Sequence, residues 1–169
     1  MPLTLITEQH WDKITSTFSD AQSEIKIISP FITDKPAKLL CETLSQNPQV
    51  SCTIITRYYR EDFIKGVSRA EALRDLIKSG ANVYALKNLH SKLYLIDEET
   101  AFLGSANFTS GGLKLNHELT LLIDEEPLIF NDLSAYFNSL LSRISVQPES
   151  KIYLDKIEDE IENGSALPP

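Results

Sequence analysis

Short runs rich in β-branched residues alternate along this chain with segments whose apolar residues recur every three or four positions. That alternation restricts the fold to an α/β architecture. The strand-like runs are residues 24–29 ("EIKIIS"), 50–57 ("VSCTIITR"), 82–86, 92–97 ("KLYLID"), 100–104 and 118–124 ("ELTLLID"). Helical spacing covers residues 9–18, residues 36–44 behind a candidate cap at Asp34, and residues 69–78. In the last of these Ser68 and Glu71 have the spacing of a capping box and Gly80 supplies the stop. Pro127 opens a longer helix in which Phe130, Leu133, Phe137, Leu140 and Ile144 make one buried stripe, either core or dimer interface. Residues 92–104 read as a hairpin turned at Glu98 and Glu99. Residues 148–163 are amphipathic, with Tyr153, Ile157 and Ile161 one helical turn apart, and "NGSALPP" is expected to be a loose end. The expected division is a catalytic domain over residues 1–147 and a C-terminal helix with tail over 148–169.

With 169 residues, 42% of them apolar, the chain has material for one hydrophobic core. No stretch approaches the roughly 20 apolar residues that cross a bilayer, and the first residues lack the pattern of a secretory signal. The expected address is therefore cytoplasmic, with no membrane partner. Cys41 and Cys52 lie in apolar segments without metal-ligand spacing, so they read as buried reduced thiols. A net charge of -8 argues against coating nucleic acid through a broad basic face. A local basic cleft remains open, because Arg57, Arg60, Lys65, Arg69, Arg74, Lys78 and Lys87 cluster in the middle of the chain.

The densest chemistry lies in "NLHSKLYLIDEETAFLGSANFTSGG", residues 88–112. Alternation along a strand puts His90, Lys92 and Tyr94 on one face and Leu93 and Leu95 on the other. An imidazole beside an ammonium on an apolar sheet face would cost several kcal/mol unless something anionic met them, so this face is either solvent or a site. The next strand ends in Gly104-Ser105-Ala106-Asn107, where a glycine lets small donors approach a ligand closely. A lysine, an amide and a hydroxyl beside an imidazole supply donors for phosphoryl oxygens and a nucleophile or acid for phosphorus. Taken singly, His90 and Lys92 fit a solvated strand face, and Ser105 and Asn107 fit a turn. Their joint spacing favours phosphoryl transfer without a metal or other cofactor.

His90-x-Lys92, then Asp97, then Gly104-Ser105-x-Asn107 is the full HKD signature, and on it the chain resembles the phospholipase D superfamily. The continuation "FTSGGLKLNHE" resembles that family too, with Glu118 at the position of its acidic residue. The resemblance implies a mixed β-sheet flanked by helices on both faces. It also implies two motifs per site, and only one is present: of His10, His90 and His117, only His90 is followed by lysine two positions on. The second motif is therefore expected from another copy in a symmetric homodimer. By the same resemblance His90 forms a phosphohistidine while the other copy's His90 acts as acid and then base. Lys92 and Asn107 hold the non-bridging oxygens, Ser105 supports them, and Glu118 orients His90 in the manner of a triad carboxylate. Asp97, at the hairpin turn, and Gly104 are assigned structural roles.

Outside the motif, Arg57, Tyr58, Tyr59 and Arg60 follow a strand-like run, where aromatic rings interleaved with arginine can stack on bases or hold flanking phosphates; Arg57, Tyr58 and Arg60 are candidate substrate contacts, with a charged loop end as the equal alternative. Ser29-Pro30-Phe31 either shapes the cleft or packs at a strand end. His10 and His117 read as ordinary surface or core histidines. The expected activity is a metal-independent phosphodiesterase or endonuclease acting on nucleic acid, with DNA ahead of RNA. A phospholipid phosphodiesterase is one alternative. A DNA-binding or scaffold subunit of a larger restriction, repair or defence assembly is another.

Overall fold

A computed structural model describes residues 2–163. The element order is β1 (Leu3–Ile6), α1 (His10–Ser19), β2 (Glu24–Ile28), α2 (Asp34–Gln46), β3 (Ser51–Thr56), α3 (Arg60–Ile64), α4 (Ala70–Lys78), β4 (Asn82–Ala85), β5 (Leu93–Ile96), β6 (Thr100–Gly104), β7 (Thr120–Asp124), α5 (Pro127–Ser145) and α6 (Leu154–Asn163). A π-helical turn, Gly111–Leu115, precedes β7, and a 3-10 turn, Pro148–Ser150, precedes α6.

The strands form one seven-stranded mixed sheet in the order β1-β7-β6-β5-β2-β3-β4. β2, β3 and β4 are mutually parallel, β5 runs antiparallel between β2 and β6, and β7 and β1 continue antiparallel to the far edge. Such directions bring the ends of β2, β3, β4 and β6 to the same edge as the starts of β5 and β7. Every residue of the quoted motif except Asp97 lies at that edge.

Both faces are covered, as a sheet of this type requires. Alternation along β5 sends Tyr94 and Ile96 into a core shared with Ile14 and Phe18 of α1, Leu40 of α2, Leu73 and Leu76 of α4 and Ile157 of α6. Leu93 and Leu95 enter the opposite core, where the stripe Phe130, Phe137, Leu140 and Ile144 of α5 packs. The C-terminal segment is bound into the first core, since Ile152 and Ile157 are buried there and Tyr84 bridges to Lys151. Tyr153 stands exposed just before α6, while Leu154 packs beside Ile157 and Ile161 instead. The loose end expected over "NGSALPP" falls outside the described residues from 164 onward.

Four expectations are corrected, the last at the hairpin turn. Ser68 does not cap α4, which begins behind Arg69 without a side-chain cap. Ser68 is instead buried, its hydroxyl donating to the Ile32 carbonyl (3.3 Å) and accepting from the Ile32 N–H (3.1 Å), because a buried loop amide needed a partner more than an exposed helix end did. Asp34 is the first residue of α2 and pairs with Arg69 at 3.4 Å instead of capping. His90 and Lys92 precede β5, so the face they were expected to share with Tyr94 is not a sheet face, and Tyr94 is buried. β1 and α3 were not anticipated; β1 is a four-residue edge strand with three exposed positions, too short and open to show a period.

The β5–β6 hairpin turns through Asp97 and Glu98, both at φ 57°, one residue earlier than the expected Glu98 and Glu99, with the Glu99 N–H returning to the Ile96 carbonyl at 3.1 Å. Two consecutive left-handed residues make the tight turn that matches strand twist, at some strain for side chains other than glycine. Asp97 offsets that strain. Its carboxylate accepts the backbone N–H groups of Gln22 (2.7 Å), Ser23 (2.7 Å) and Glu24 (3.0 Å) and the Ser23 hydroxyl (3.0 Å). Its own N–H donates to the Glu24 carbonyl at 3.0 Å. Burial by itself would raise this carboxyl, but the converging donors outweigh it and hold the group below its ordinary value.

Two outcomes are expected. Asp97→Ala should lower unfolding free energy by about 2–3 kcal/mol in urea titrations, for one charged acceptor serving several donors. A depressed carboxyl contributes stability that is present above its unfolded value, about 3.9, and is lost as pH falls through the folded value; the wild-type advantage over Asp97→Asn should therefore narrow from about pH 5 downward. At the other end of the hairpin, a Cβ on Gly104 would lie 2.7 Å from the Thr120 Cα, backbone against side chain. Gly104→Ala should lose about 1–3 kcal/mol and speed amide exchange at the ends of β6 and β7.

Candidate active site

His90 and Lys92 leave the loop that climbs from β4 and drops into β5. That loop is pinned at Asn88, whose backbone takes φ 61° and whose N–H donates to the Tyr59 hydroxyl at 2.7 Å. Between the two site residues, Ser91 shares a 2.8 Å hydrogen bond with the Tyr136 hydroxyl on α5. Helix α5 thus holds the segment at a second point. The Lys92 ammonium donates to the His90 carbonyl (2.7 Å) and sits 3.2 Å from His90 Nδ1. An ammonium has only donors, so in this arrangement Nδ1 accepts and the ring proton belongs on Nε2. Burial lowers the Lys92 ammonium from its usual range, and the Glu118 carboxylate opposes that shift.

Ser105 and Asn107 ride on the loop that follows β6. Four contacts fix it. The buried Tyr94 hydroxyl donates to the Ala106 carbonyl at 2.6 Å. The Phe108 N–H donates to the buried Ser29 hydroxyl (2.9 Å), which itself donates to the Phe31 carbonyl (2.7 Å). The Ser110 N–H donates to Thr33 Oγ1 at 3.0 Å. Finally, Gly112 packs against Asn107, where any Cβ would come within 2.8 Å of the Asn107 nitrogen. Sequence reading missed Gly112, Tyr94 and Tyr136 as supports; only the pair of glycines in "TSGG" gave any signal. Asn107 Oδ1 is buried and has no partner among the described residues.

The Ser105 hydroxyl accepts the Leu119 N–H (3.0 Å) and makes a short hydrogen bond to Glu118 Oε2. Glu118 Oε1 accepts from Asn116 Nδ2 at 3.3 Å. The structure therefore brings His90 and Lys92 together and joins Ser105 to Glu118, and it carries Asn107 on the loop at the same sheet edge. Its carboxylate field also reaches His10, a histidine at the start of α1 that is only 5% exposed and whose Nε2 lies 3.0 Å from Thr120 Oγ1. Burial lowers the His10 pKa and Glu118 works against it. Asp97 lies at the opposite end of β5, seven residues from His90 and roughly 20 Å away at strand rise.

The candidates outside the motif are more deeply engaged with the protein than the sequence indicated. Arg57 makes a bidentate pair with Asp62 (2.9 and 3.1 Å), and its guanidinium stacks between Phe31 (4.9 Å) and Tyr59 (4.5 Å). Tyr58 meets Phe63 edge-on at 5.2 Å, and burial pushes its hydroxyl well above the usual tyrosine value. Arg60 is exposed at the start of α3. Among the described residues no helix is long and apolar enough to cross a membrane.

The family described as "Cardiolipin synthase, PLD-like domain" matches residues 14–141. Cardiolipin synthase A of Buchnera aphidicola subsp. Schizaphis graminum is 31% identical over 120 residues, 69% of this chain and 24% of that protein. The chain thus spans about a quarter of the length of the curated relatives it matches. Among solved structures, the phospholipase D family member Nuc from Salmonella typhimurium superposes with a TM-score of 0.68 at 18% identity, covering 81% of this chain and 93% of that one. NucT from Helicobacter pylori gives 0.69 at 22% identity, covering 89% and 97%. Those two likenesses establish the fold. With the family match across three-quarters of its length and a mixed sheet that carries the His-Lys and Ser-Asn segments to one edge, this chain belongs to the phospholipase D superfamily.

Proposed function

We propose that the chain is a phosphodiesterase that cleaves nucleic acid, DNA ahead of RNA, through a phosphohistidine, at a site shared by two copies of itself. The observation that carries this reading is the exposed imidazole of His90 with the Lys92 ammonium 3.2 Å from its Nδ1, at the sheet edge that also carries Asn107. One imidazole cannot both attack phosphorus and protonate the oxygen that departs on the far side. A second His90 completes the chemistry, and a two-fold axis supplies it.

A lone pair on His90 Nε2 forms the N–P bond as the P–O bond to the leaving group breaks. The partner subunit's His90 enters the step as an imidazolium, having taken a second proton from solvent on Nδ1, and the leaving oxygen takes its Nε2 proton. That ring, now neutral, removes a proton from water; the hydroxide attacks phosphorus, and the P–N bond breaks to restore His90. The Lys92 ammonium and the Asn107 amide N–H groups stabilise the equatorial oxygens, so the transition-state charge is met by fixed protein donors and activity is expected to persist in EDTA. Attack through Nε2 requires the proton on Nδ1, the reverse of the arrangement that Lys92 holds. An incoming phosphate draws the Lys92 ammonium from Nδ1, freeing that nitrogen for a proton and for the Glu118 carboxylate as its acceptor.

An exposed apolar stripe beside the site supports the second copy. Across the sheet Leu5, Leu121 and Leu103 are register partners on the α5 face, and alternation adds Leu119. Leu5 is 61% exposed, Leu119 55% and Leu103 39%, although Leu93 in the same row is buried against α5. A second copy would bury these leucines next to Ser105 and bring its own His90 to the same edge.

The names of the curated relatives favour a second reading, in which the same chemistry acts on a phosphatidyl group. One set of assays separates the two: DNA, RNA, bis(4-nitrophenyl) phosphate and phosphatidylglycerol, each incubated in EDTA. Nucleic-acid cleavage that falls by at least about a thousandfold in His90→Ala and Lys92→Ala is the expected result, from the combined loss of nucleophile and acid. Lipid turnover without nucleic-acid cleavage would move the assignment to the second reading. Leu103→Glu should shift sedimentation to the monomer and abolish turnover with the circular dichroism spectrum preserved; a fully active monomer would end the shared-site mechanism.

A further inference from the structure

A groove of about 550 Å³ opens beside the loop that carries His90, between the end of β4 and the end of α5. Tyr58, Tyr59, Lys87, Arg143, Glu149 and Lys156 line it. The catalytic steps above use none of them.

Its wall is unusually rigid for a surface feature. Phe31, the Arg57 guanidinium and the Tyr59 ring form a stack, with Arg57 locked from the side by Asp62. The Tyr59 hydroxyl is locked in turn by the Asn88 N–H. An aromatic ring held at its edge and backed by a cation is a platform ready for a planar, electron-rich partner. Two cations face the same space without an acidic partner among the described residues, Lys87 on the His90 loop and Arg143 in the last turn of α5. Lys156 is engaged, donating to the Glu149 carbonyl at 3.1 Å with its ammonium 4.9 Å over the Tyr58 ring. Glu149 brings one negative charge against three positive ones.

Ring and cations together fit a nucleotide whose base is unstacked from its neighbours, since a paired base has no free face to offer. Lys87 is three residues from His90, at most about 10 Å along an extended chain, which is about three nucleotides of rise on a strand. A single strand can therefore cross His90 and reach the groove.

We propose that this groove is the binding site for a single-stranded polynucleotide segment flanking the scissile phosphate, with a base on Tyr59 and phosphates on Lys87 and Arg143. The inference deepens the nuclease reading and rests on it for the identity of the strand. Tyr59 has a double role, because the hydroxyl that borders the groove also anchors the loop two residues before His90. Occupancy of the groove thereby steadies the nucleophile.

The test measures anisotropy of a fluorescein-labelled twelve-residue oligothymidylate in a His90→Ala background, where it stays intact. Adding Lys87→Ala and Arg143→Ala should raise Kd by at least about tenfold and flatten the salt slope by about 1.4, for two lost contacts at roughly 0.7 each. Tyr59→Leu should weaken binding to the oligonucleotide and leave binding to an abasic strand unchanged. With His90 restored, Lys87→Ala/Arg143→Ala should hydrolyse bis(4-nitrophenyl) phosphate at the wild-type rate, because that substrate does not extend into the groove. Unchanged oligonucleotide affinity and salt slope in the double variant would overturn the proposal, as would an equal loss on the small diester. Should the wild-type chain leave nucleic acid uncut while the groove variants still lose oligonucleotide affinity, the nuclease reading falls and the groove stands. Should it cut nucleic acid while the groove variants bind normally, the groove falls alone.

Discussion

The Asp97 carboxylate, gathering the N–H groups of residues 22–24, sets the register on which the site depends. β5 is short, and a slip of one residue would exchange its two faces, sending Tyr94 towards α5 and the leucines towards α1. It would also move Tyr94 away from Ala106 and so release the loop that carries Ser105 and Asn107. A residue at one end of the sheet therefore acts on the reactive end through strand register, without approaching it. The tight approach of β6 and β7 at Gly104 closes the same frame from above, because it delivers Ser105 into the bond with Glu118.

Electrostatics at the reactive edge is organised around Glu118. One carboxylate accepts from Ser105 and Asn116, counters the desolvation of Lys92 and opposes the depression of His10. The Lys92 cation that the proposed reaction places on a phosphoryl group thus has a carboxylate field acting on it before any anion arrives. That arrangement fits a chain whose net charge is -8: without a broad basic surface, attraction for a polyanion has to be local. Arg57, a candidate substrate contact in the sequence reading, is instead enclosed by Asp62, Phe31 and Tyr59, and serves as the backing of a wall.

The polar spacing from His90 to Asn107 was legible because those residues stand at the ends of two consecutive strands of a hairpin, where sequence separation nearly fixes spatial separation. The helices and central strands were legible from period alone. What joins distant parts of the chain was not. Ser68 has the local signature of a cap, yet it answers an amide thirty-six residues away at Ile32. Tyr94 looks like a member of the His90 face and is a buried prop for Ala106. Gly112 and Tyr136 act on Asn107 and Ser91 across gaps that no periodicity encodes. Tyr58 and Tyr59 were read together, since which of two adjacent rings turns inward is decided by Phe63 and α6, not by either residue.

In the proposed dimer, identity of the two imidazoles raises a question of order. Both copies start with Lys92 against Nδ1 and are equivalent, while the chemistry requires one ring to give up electrons and the other to give up a proton. Symmetry has to be broken by the substrate, whose attacking and departing sides differ. A strand that enters the groove of one copy and crosses the axis is directional, so it presents its leaving oxygen to one particular ring. The ring beside the occupied groove, on the loop steadied through Tyr59 and Asn88, is then distinguished from its twin before any bond changes. Asymmetry in binding thus assigns nucleophile and acid in a site built from identical parts, and a substrate too small to reach a groove leaves that assignment to chance in each turnover.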